Sequence, residues 1–145
     1  MAGGKYRGDA APEDAWEMLS REPGAALVDV RTAAEWNFVG LPDLSAIAAP
    51  MLRVEWQSFP SGSIDQNFAA TADEALRAAG SGPDAPILFI CRSGARSAAA
   101  AGALAEAGYS RCYNVAGGFE GRRDEHGHRG TVEGWKAAGL PWQQP

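Results

Sequence analysis

Cysteine is nearly absent from this chain: Cys91 and Cys112 are the two thiols among 145 residues. Their separation matches no CxxC metal spacing. A disulfide between them would remove the thiol that stands beside the chain's most distinctive loop, so both are expected to be reduced. Histidine is equally scarce. His126 and His128 lie near Asp124 and Glu125, but no further ligand is spaced to complete a closed metal site, and they read as solvated side chains on a loop. No apolar run approaches the length of a membrane span, and the opening MAGGKYRGDAAPEDAW lacks the apolar centre of a secretory signal. No membrane partner is therefore expected, and the cytoplasm is the default location. A basic face is missing too. The formal net charge is −5 and the arginines are scattered or gathered in one short loop, which argues against a nucleic-acid partner. What remains is ample apolar content, 46% of residues, suited to a single globular domain over 1–145 with a sizeable core. Residues 1–8, polar and glycine-bearing, are expected to be mobile.

The most informative stretch is Ile87 to Leu104, where ILFI is followed by CRSGARS and then by AAAAGAL. A continuous apolar run after Pro86 is the pattern of a strand buried on both faces of a parallel sheet. The alanine-rich segment from Ala98 to Ala107 has high helix propensity, and Ser97 is placed as its cap. Between strand and helix lies Cys91, at the strand's carboxyl end. A short loop around a helix start aims backbone N–H groups inward at one point, which favours an anion. A cysteine at its base is expected to be stabilised as thiolate by those amides, by the helix dipole and by Arg92 and Arg96. Packing alone does not explain two arginines and a glycine within five residues of Cys91, so Cys91 is read as a nucleophile rather than an inert core thiol.

CRSGARS resembles the active-site loop of the rhodanese sulfurtransferases. VDVRTAAEWNFVGLP, residues 28–42, is similar to that family's amino-terminal signature. NVAGGFEG, residues 114–121, with Gly134, Trp135 and LPW at 140–142, resembles its carboxyl-terminal signature. The resemblance implies the rhodanese fold, an α/β architecture with a central parallel sheet of about five strands. It also implies that Asp29 and Arg31 brace loops near the active site. A structural rather than chemical role is assigned to these two and to Glu35. One departure is visible: Gly40 is followed by Leu41, where the family usually has histidine. Arg122 to Glu133, RRDEHGHRGTVE, is an irregular insertion in what is usually a continuous run, and is expected to be a surface loop near the active-site mouth.

The rest of the chain alternates strand and helix, which by itself predicts an open α/β sheet with helices on both faces and ligands beyond the strands' carboxyl ends. Pro12, Glu13 and Asp14 open a helix that Pro23 and Gly24 stop. Ala26 to Val30 is a buried strand, and Thr32 caps a helix through Phe38. Ser45 to Ala49 and Met51 to Trp56 read as short strands, the second at an edge. Phe68, Ala72, Leu76 and Ala79 recur at helical spacing within a predicted helix over 64–79. Trp56 and Phe59 are read as core residues rather than pocket rim. Gly108 ends the helix after the loop, and Arg111 to Val115 is the next strand, carrying Cys112. Cys112 is read as structural, with a resolving thiol for Cys91 as the alternative. Gly117 and Gly118 permit a tight turn that docks Phe119 beside the loop, and Val132 to Ala138 is predicted as a last short helix.

The expected reaction is a two-step sulfur transfer through a persulfide on Cys91. The loop amides from Arg92 through Ser93, Gly94, Ala95 and Arg96 to Ser97 bind the loaded sulfur, and the two arginines attract a small anionic donor such as thiosulfate. A thiol, free or on a partner protein, or cyanide is the acceptor, and no cofactor or metal is required. Cysteine-based phosphatase or arsenate reductase chemistry is the alternative reaction. Those loops place one residue more between cysteine and arginine than the four between Cys91 and Arg96, and the shorter loop suits a sulfur atom better than a tetrahedral phosphate. A non-catalytic rhodanese-like binding module is the third reading, against which stand Cys91 and both loop arginines.

Overall fold

A computed structural model of the chain describes residues 6–145. Seven strands and four helices follow in the order β1 (Gly8–Ala10), α1 (Pro12–Arg21), β2 (Ala26–Asp29), α2 (Ala33–Phe38), β3 (Leu41–Pro42), β4 (Met51–Arg53), α3 (Phe68–Ala78), β5 (Ile87–Ile90), α4 (Ala95–Glu106), β6 (Cys112–Val115) and β7 (Trp142–Gln143). Five strands form a wholly parallel sheet in the order β1-β6-β5-β2-β4, and β3 pairs with β7 in a separate antiparallel ribbon.

Every residue of β2 and β5 is buried, because successive side chains point to opposite faces and helices cover both. Ala26, Val28, Ile87 and Phe89 face Phe68, Ala72 and Leu76 of α3 and Ala100, Ala101 and Leu104 of α4. Leu27, Leu88 and Ile90 face Ala15 and Leu19 of α1, with Phe119 and Trp135 completing that layer. Each fully buried Leu, Ile or Phe side chain contributes roughly 1.5–3 kcal/mol, so the two central strands anchor both cores. The predicted parallel α/β sheet of about five strands with helices on both faces is the fold observed.

Several local expectations are corrected. Residues 1–5 lie outside the described residues, but Gly8 already belongs to β1, whose partner is Tyr113, so 6–8 are tied to the sheet. Ser45–Ala49 is a series of turns rather than a strand: Asp43 Oδ1 accepts the Ser45 N–H at 2.9 Å and the Leu44 carbonyl accepts the Ile47 N–H at 3.0 Å, local bonds that compete with a ladder. The edge strand is shortened to Met51–Arg53. Helix α3 begins at Phe68, not Ile64, because Ile64 bridges back to Gln57 and Asp65 folds its carboxylate onto the Asn67 N–H. Val132–Ala138 is a set of turns. There Trp135 N–H donates to the Gly118 carbonyl and Lys136 N–H to that of Phe119, bonds to a distant segment in place of helical ones.

The order of the strands positions the site. The chain leaves β2 toward β4 at one edge and, after returning to β5, leaves toward β6 in the opposite direction. The carboxyl ends of the neighbouring strands β2 and β5 therefore flank a topological switch point, where a crevice opens in such sheets.

Candidate active site

Cys91 follows β5 at that crevice. Three residues, Arg92, Ser93 and Gly94, separate it from α4. Gly94 has φ +118° and caps the helix, a backbone state that a residue with a Cβ adopts only with strain. The cap is therefore Gly94 rather than Ser97, which lies inside the first turn. Helical bonding starts with Ala98 N–H donating to the Gly94 carbonyl at 3.1 Å, leaving the amides of Ala95, Arg96 and Ser97 without helical acceptors, as at any helix start.

Cys91 Sγ accepts the Gly94 N–H at 3.1 Å and the Ser97 hydroxyl at 3.1 Å. Its enclosure is greater than expected of a sulfur at an open mouth: Cys91 is 1% exposed and packs with the α3/α4 core. The sulfur nevertheless faces the helix start. Behind it runs a polar chain that the sequence did not disclose. Ser97 Oγ lies 2.5 Å from Asn114 Oδ1, and Asn114 Nδ2 donates to Asp9 Oδ1 at 3.0 Å. Asn114 was visible only as part of the NVAGG segment, and Asp9 sits on a strand with no apolar pattern to mark it.

The loop is strapped from outside by residues after β6. Phe119 N–H donates to the Cys91 carbonyl at 2.7 Å, and Glu120 and Gly121 N–H donate to the Arg92 carbonyl at 2.9 and 3.0 Å. This close approach requires glycine, since a Cβ at Gly118 would stand 2.6 Å from the Cys91 and Arg92 carbonyl oxygens. Carbonyl groups are thereby turned away from the loop's interior, which is left to donors.

Asp29 and Arg31 form a fully buried ion pair at 2.8 Å. Arg31 also donates to the Gly40 carbonyl at 2.7 Å and stacks over Phe119, 4.3 Å from the ring centre. The pair thus links the loop after β2 to the strap after β6. Leu41, which follows Gly40, is 8% exposed within the β3/β7 ribbon, so the departure from the family pattern is accommodated by packing.

Glu35 does more than brace its own segment. Its carboxylate closes a capping box with Thr32 and takes both terminal nitrogens of Arg96 at 2.7 and 2.9 Å. Burial by itself pushes this carboxyl up, but hydrogen bonds from Arg96 and Thr32 and the Arg96 charge outweigh it and hold it down at about 2. The Glu35 hydrogen bond raises Arg96, opposed by burial and reinforced by the charges of Glu35, Cys91 and Asp29. Arg96 is therefore not a free cation. Arg92 is exposed and has no side-chain partner among the described residues.

A cleft of about 550 Å³ borders the loop. It gathers residues from the connections after four strands: Thr32 to Val39 after β2, Gln57 to Gly62 after β4, Arg92 and Arg96 after β5, Glu120 and Arg129 after β6. Phe59 is at the rim and 69% exposed, not in the core, whereas Trp56 packs edge-on against Phe68, ring centres 5.1 Å apart. Arg129 comes from the insertion and is steadied by donating to the Gly121 carbonyl at 2.7 Å. Asp124 shapes the insertion by accepting the His126 and His128 N–H groups and the Thr131 hydroxyl. Cys112 is buried, and burial pushes its thiol up to about 12. It pairs with Ile87, four residues before Cys91, which puts the two cysteines roughly 13 Å apart at strand spacing, beyond disulfide reach.

A doubly wound parallel sheet with a cysteine held at a helix start beyond its switch point defines a class of α/β domains with a thiol in an amide-lined loop. The family model for the Rhodanese-like domain matches residues 11–125, and the chain belongs to that family. The crystal structure of Rv0390 from M. tuberculosis superimposes with a TM-score of 0.84 at 49% identity, covering 97% of this chain and 100% of that one. An uncharacterized RP600 homolog of Rickettsia rickettsii is 38% identical over 89% of this chain and 91% of its own length. The thiosulfate sulfurtransferase GlpE of Actinobacillus succinogenes is 29% identical over 93% and 89%. Among the described residues no helix is long and apolar enough to cross a membrane.

Proposed function

We propose that the protein is a sulfurtransferase that carries sulfane sulfur as a persulfide on Cys91. The observation that carries this reading is the pair of donors, Gly94 N–H and Ser97 Oγ–H, each 3.1 Å from Cys91 Sγ at the start of α4. In the first half-reaction the Cys91 thiolate attacks the outer sulfur of a donor such as thiosulfate. The donor's S–S bond breaks, its electron pair leaves with sulfite, and Cys91 gains one sulfur. In the second, a thiolate or cyanide attacks that outer sulfur and the electron pair of the Cys91 S–S bond returns to Sγ. Ping-pong kinetics follow from the alternation. Arg92, which has no carboxylate partner among the described residues, draws the anionic donor, and the first-turn amides meet the charge of the loaded sulfur. Arg96, bound by Glu35, serves to position the loop. Kinship with a thiosulfate sulfurtransferase at 29% identity supports the same reading.

Incubation with thiosulfate is expected to add about 32 Da, the mass of one sulfur, to the intact protein; cyanide removes it, and Cys91→Ser never acquires it. Hydrolysis of a phosphate ester without sulfur loading would overturn the assignment in favour of phosphatase chemistry.

A further inference from the structure

The cleft beside the loop is much larger than thiosulfate or cyanide requires. Five non-hydrogen atoms occupy on the order of 100–150 Å³ at roughly 20–30 Å³ each, against about 550 Å³ available, a size typical of sites for drug-sized organic ligands. Its lining is also chemically mixed. Phe38 is 82% exposed and Phe59 is 69% exposed; with Val39 and Pro60 they supply apolar lining to the cleft. Two large rings left in water on separate segments, the end of α2 and the turn after β4, contribute nothing to either core. Three arginines line the same cleft. Arg96 is neutralised by Glu35, but Arg92 and Arg129 have no carboxylate partner among the described residues, and three arginines against two glutamates leave the lining positive by one. This stands out in a chain whose net charge is −5.

We infer that the sulfur acceptor is a small organic thiol with an apolar, preferably aromatic, body and a carboxylate, Phe38 and Phe59 holding the body and Arg129 the carboxylate. The inference rests on the persulfide reading above and names the substrate class of its second half-reaction. The acceptor thiolate attacks the outer sulfur of the loaded Cys91. A new S–S bond forms on the acceptor, the bond to Sγ breaks with its electron pair left on Cys91, and the acceptor departs as an organic persulfide. No external oxidant or reductant is needed. An aromatic contact discriminates among acceptors by about three- to tenfold, and a charge-assisted hydrogen bond from Arg129 adds at least as much.

The test uses the full chain loaded with thiosulfate and follows loss of the added sulfur in single turnovers with cyanide, 2-mercaptoethanol and 4-mercaptophenylacetate. The aryl carboxylate thiol is expected to discharge the protein most efficiently. Phe38→Ser and Phe59→Ser, both at exposed positions outside the cores, are expected to lower the ratio of its efficiency to that of cyanide three- to tenfold each. Arg129→Gln should lower efficiency with 4-mercaptophenylacetate but not with 4-methoxybenzenethiol. Ratios that stay within twofold of the parent in all three variants, or a preference for 2-mercaptoethanol, overturn the inference while leaving sulfur transfer intact. Failure of thiosulfate to load Cys91 at all strikes the sulfurtransferase reading, and this inference falls with it.

Discussion

Ser97 has one hydroxyl proton and three acceptors within reach: Asn114 Oδ1 at 2.5 Å, Cys91 Sγ at 3.1 Å and the Gly94 carbonyl at 3.3 Å. Because Asn114 gives its NH2 to Asp9, its oxygen is the atom turned toward Ser97, and it competes with the sulfur for that proton. A hydrogen bond to a charged acceptor stabilises by roughly 1.5–3 kcal/mol. Ser97→Ala removes one of the two donors to Cys91 Sγ and is therefore expected to slow alkylation of Cys91 by iodoacetamide at neutral pH about tenfold. Asn114→Leu removes the nearer competitor, leaves the hydroxyl to the sulfur and the more distant Gly94 carbonyl, and should quicken alkylation a few-fold. Slowing in both variants would mean that the chain Asp9–Asn114–Ser97 only supports packing. None of this was readable in advance. A cysteine, two arginines and a glycine in one loop signal an anion cradle, but a serine in such a loop reads equally well as a cap, and it took the left-handed Gly94 to move the cap three residues back.

Glu35 and Arg96 show what the elements add. They are 61 residues apart in sequence, and nothing local relates the start of α2 to the start of α4. Only the adjacency of β2 and β5, with their connections departing in opposite directions, brings the two helix starts face to face. Because the folded Glu35 carboxyl is held at about 2, below its ordinary 4.5, the unfolded chain binds the extra proton between these values. The pair's stabilisation is thus fully present above about pH 4.5 and is lost as pH falls toward 2. Glu35→Gln should lower stability in urea at pH 7 by roughly 1.5–3 kcal/mol, and the gap between parent and variant should close as pH falls through that window. A gap that is constant with pH would show that the loss does not come from the ionised carboxylate, since glutamine at this position can still close the capping box with Thr32. The same contrast explains which elements were legible. Strand β5, a continuous apolar run, and α2, with its Thr32–Glu35 box, carry their signals within a few residues. Strand β1 and the turns at 45–49 and 132–138 do not. Gly8–Ala10 becomes a strand because β6 offers it an edge, and Trp135 forgoes a helix because Gly118 offers its carbonyl.

At the scale of the molecule, the two cores are unequal in how they are closed. The face covered by α3 and α4 is sealed by helices whose apolar spacing can be read directly, whereas the opposite face has α1 and then depends on a return of the chain after the 122–133 insertion. Trp135, fully buried, is the centre of that return. Its ring meets Trp16 edge-on with centres 5.9 Å apart, its Nε1–H donates to the Pro141 carbonyl at 2.8 Å, and its backbone N–H holds Gly118. Gly118 stands against the Cys91 and Arg92 carbonyls, so the packing of a tryptophan 44 positions after Cys91 bears on the geometry of the loop. Trp135→Ala is expected to lower unfolding free energy by about 3–5 kcal/mol, the usual cost of emptying a large aromatic site. Trp135→Phe keeps most of the ring volume and loses the Nε1 bond, and should cost less than half as much. Urea unfolding gives both values, and intact mass after brief thiosulfate exposure reports the loop. If strap and core are one unit, Trp135→Ala that is still folded at low urea will load sulfur more slowly than the parent. Parent-like loading with the full stability loss would separate the two, leaving the strap to be held by its own hydrogen bonds.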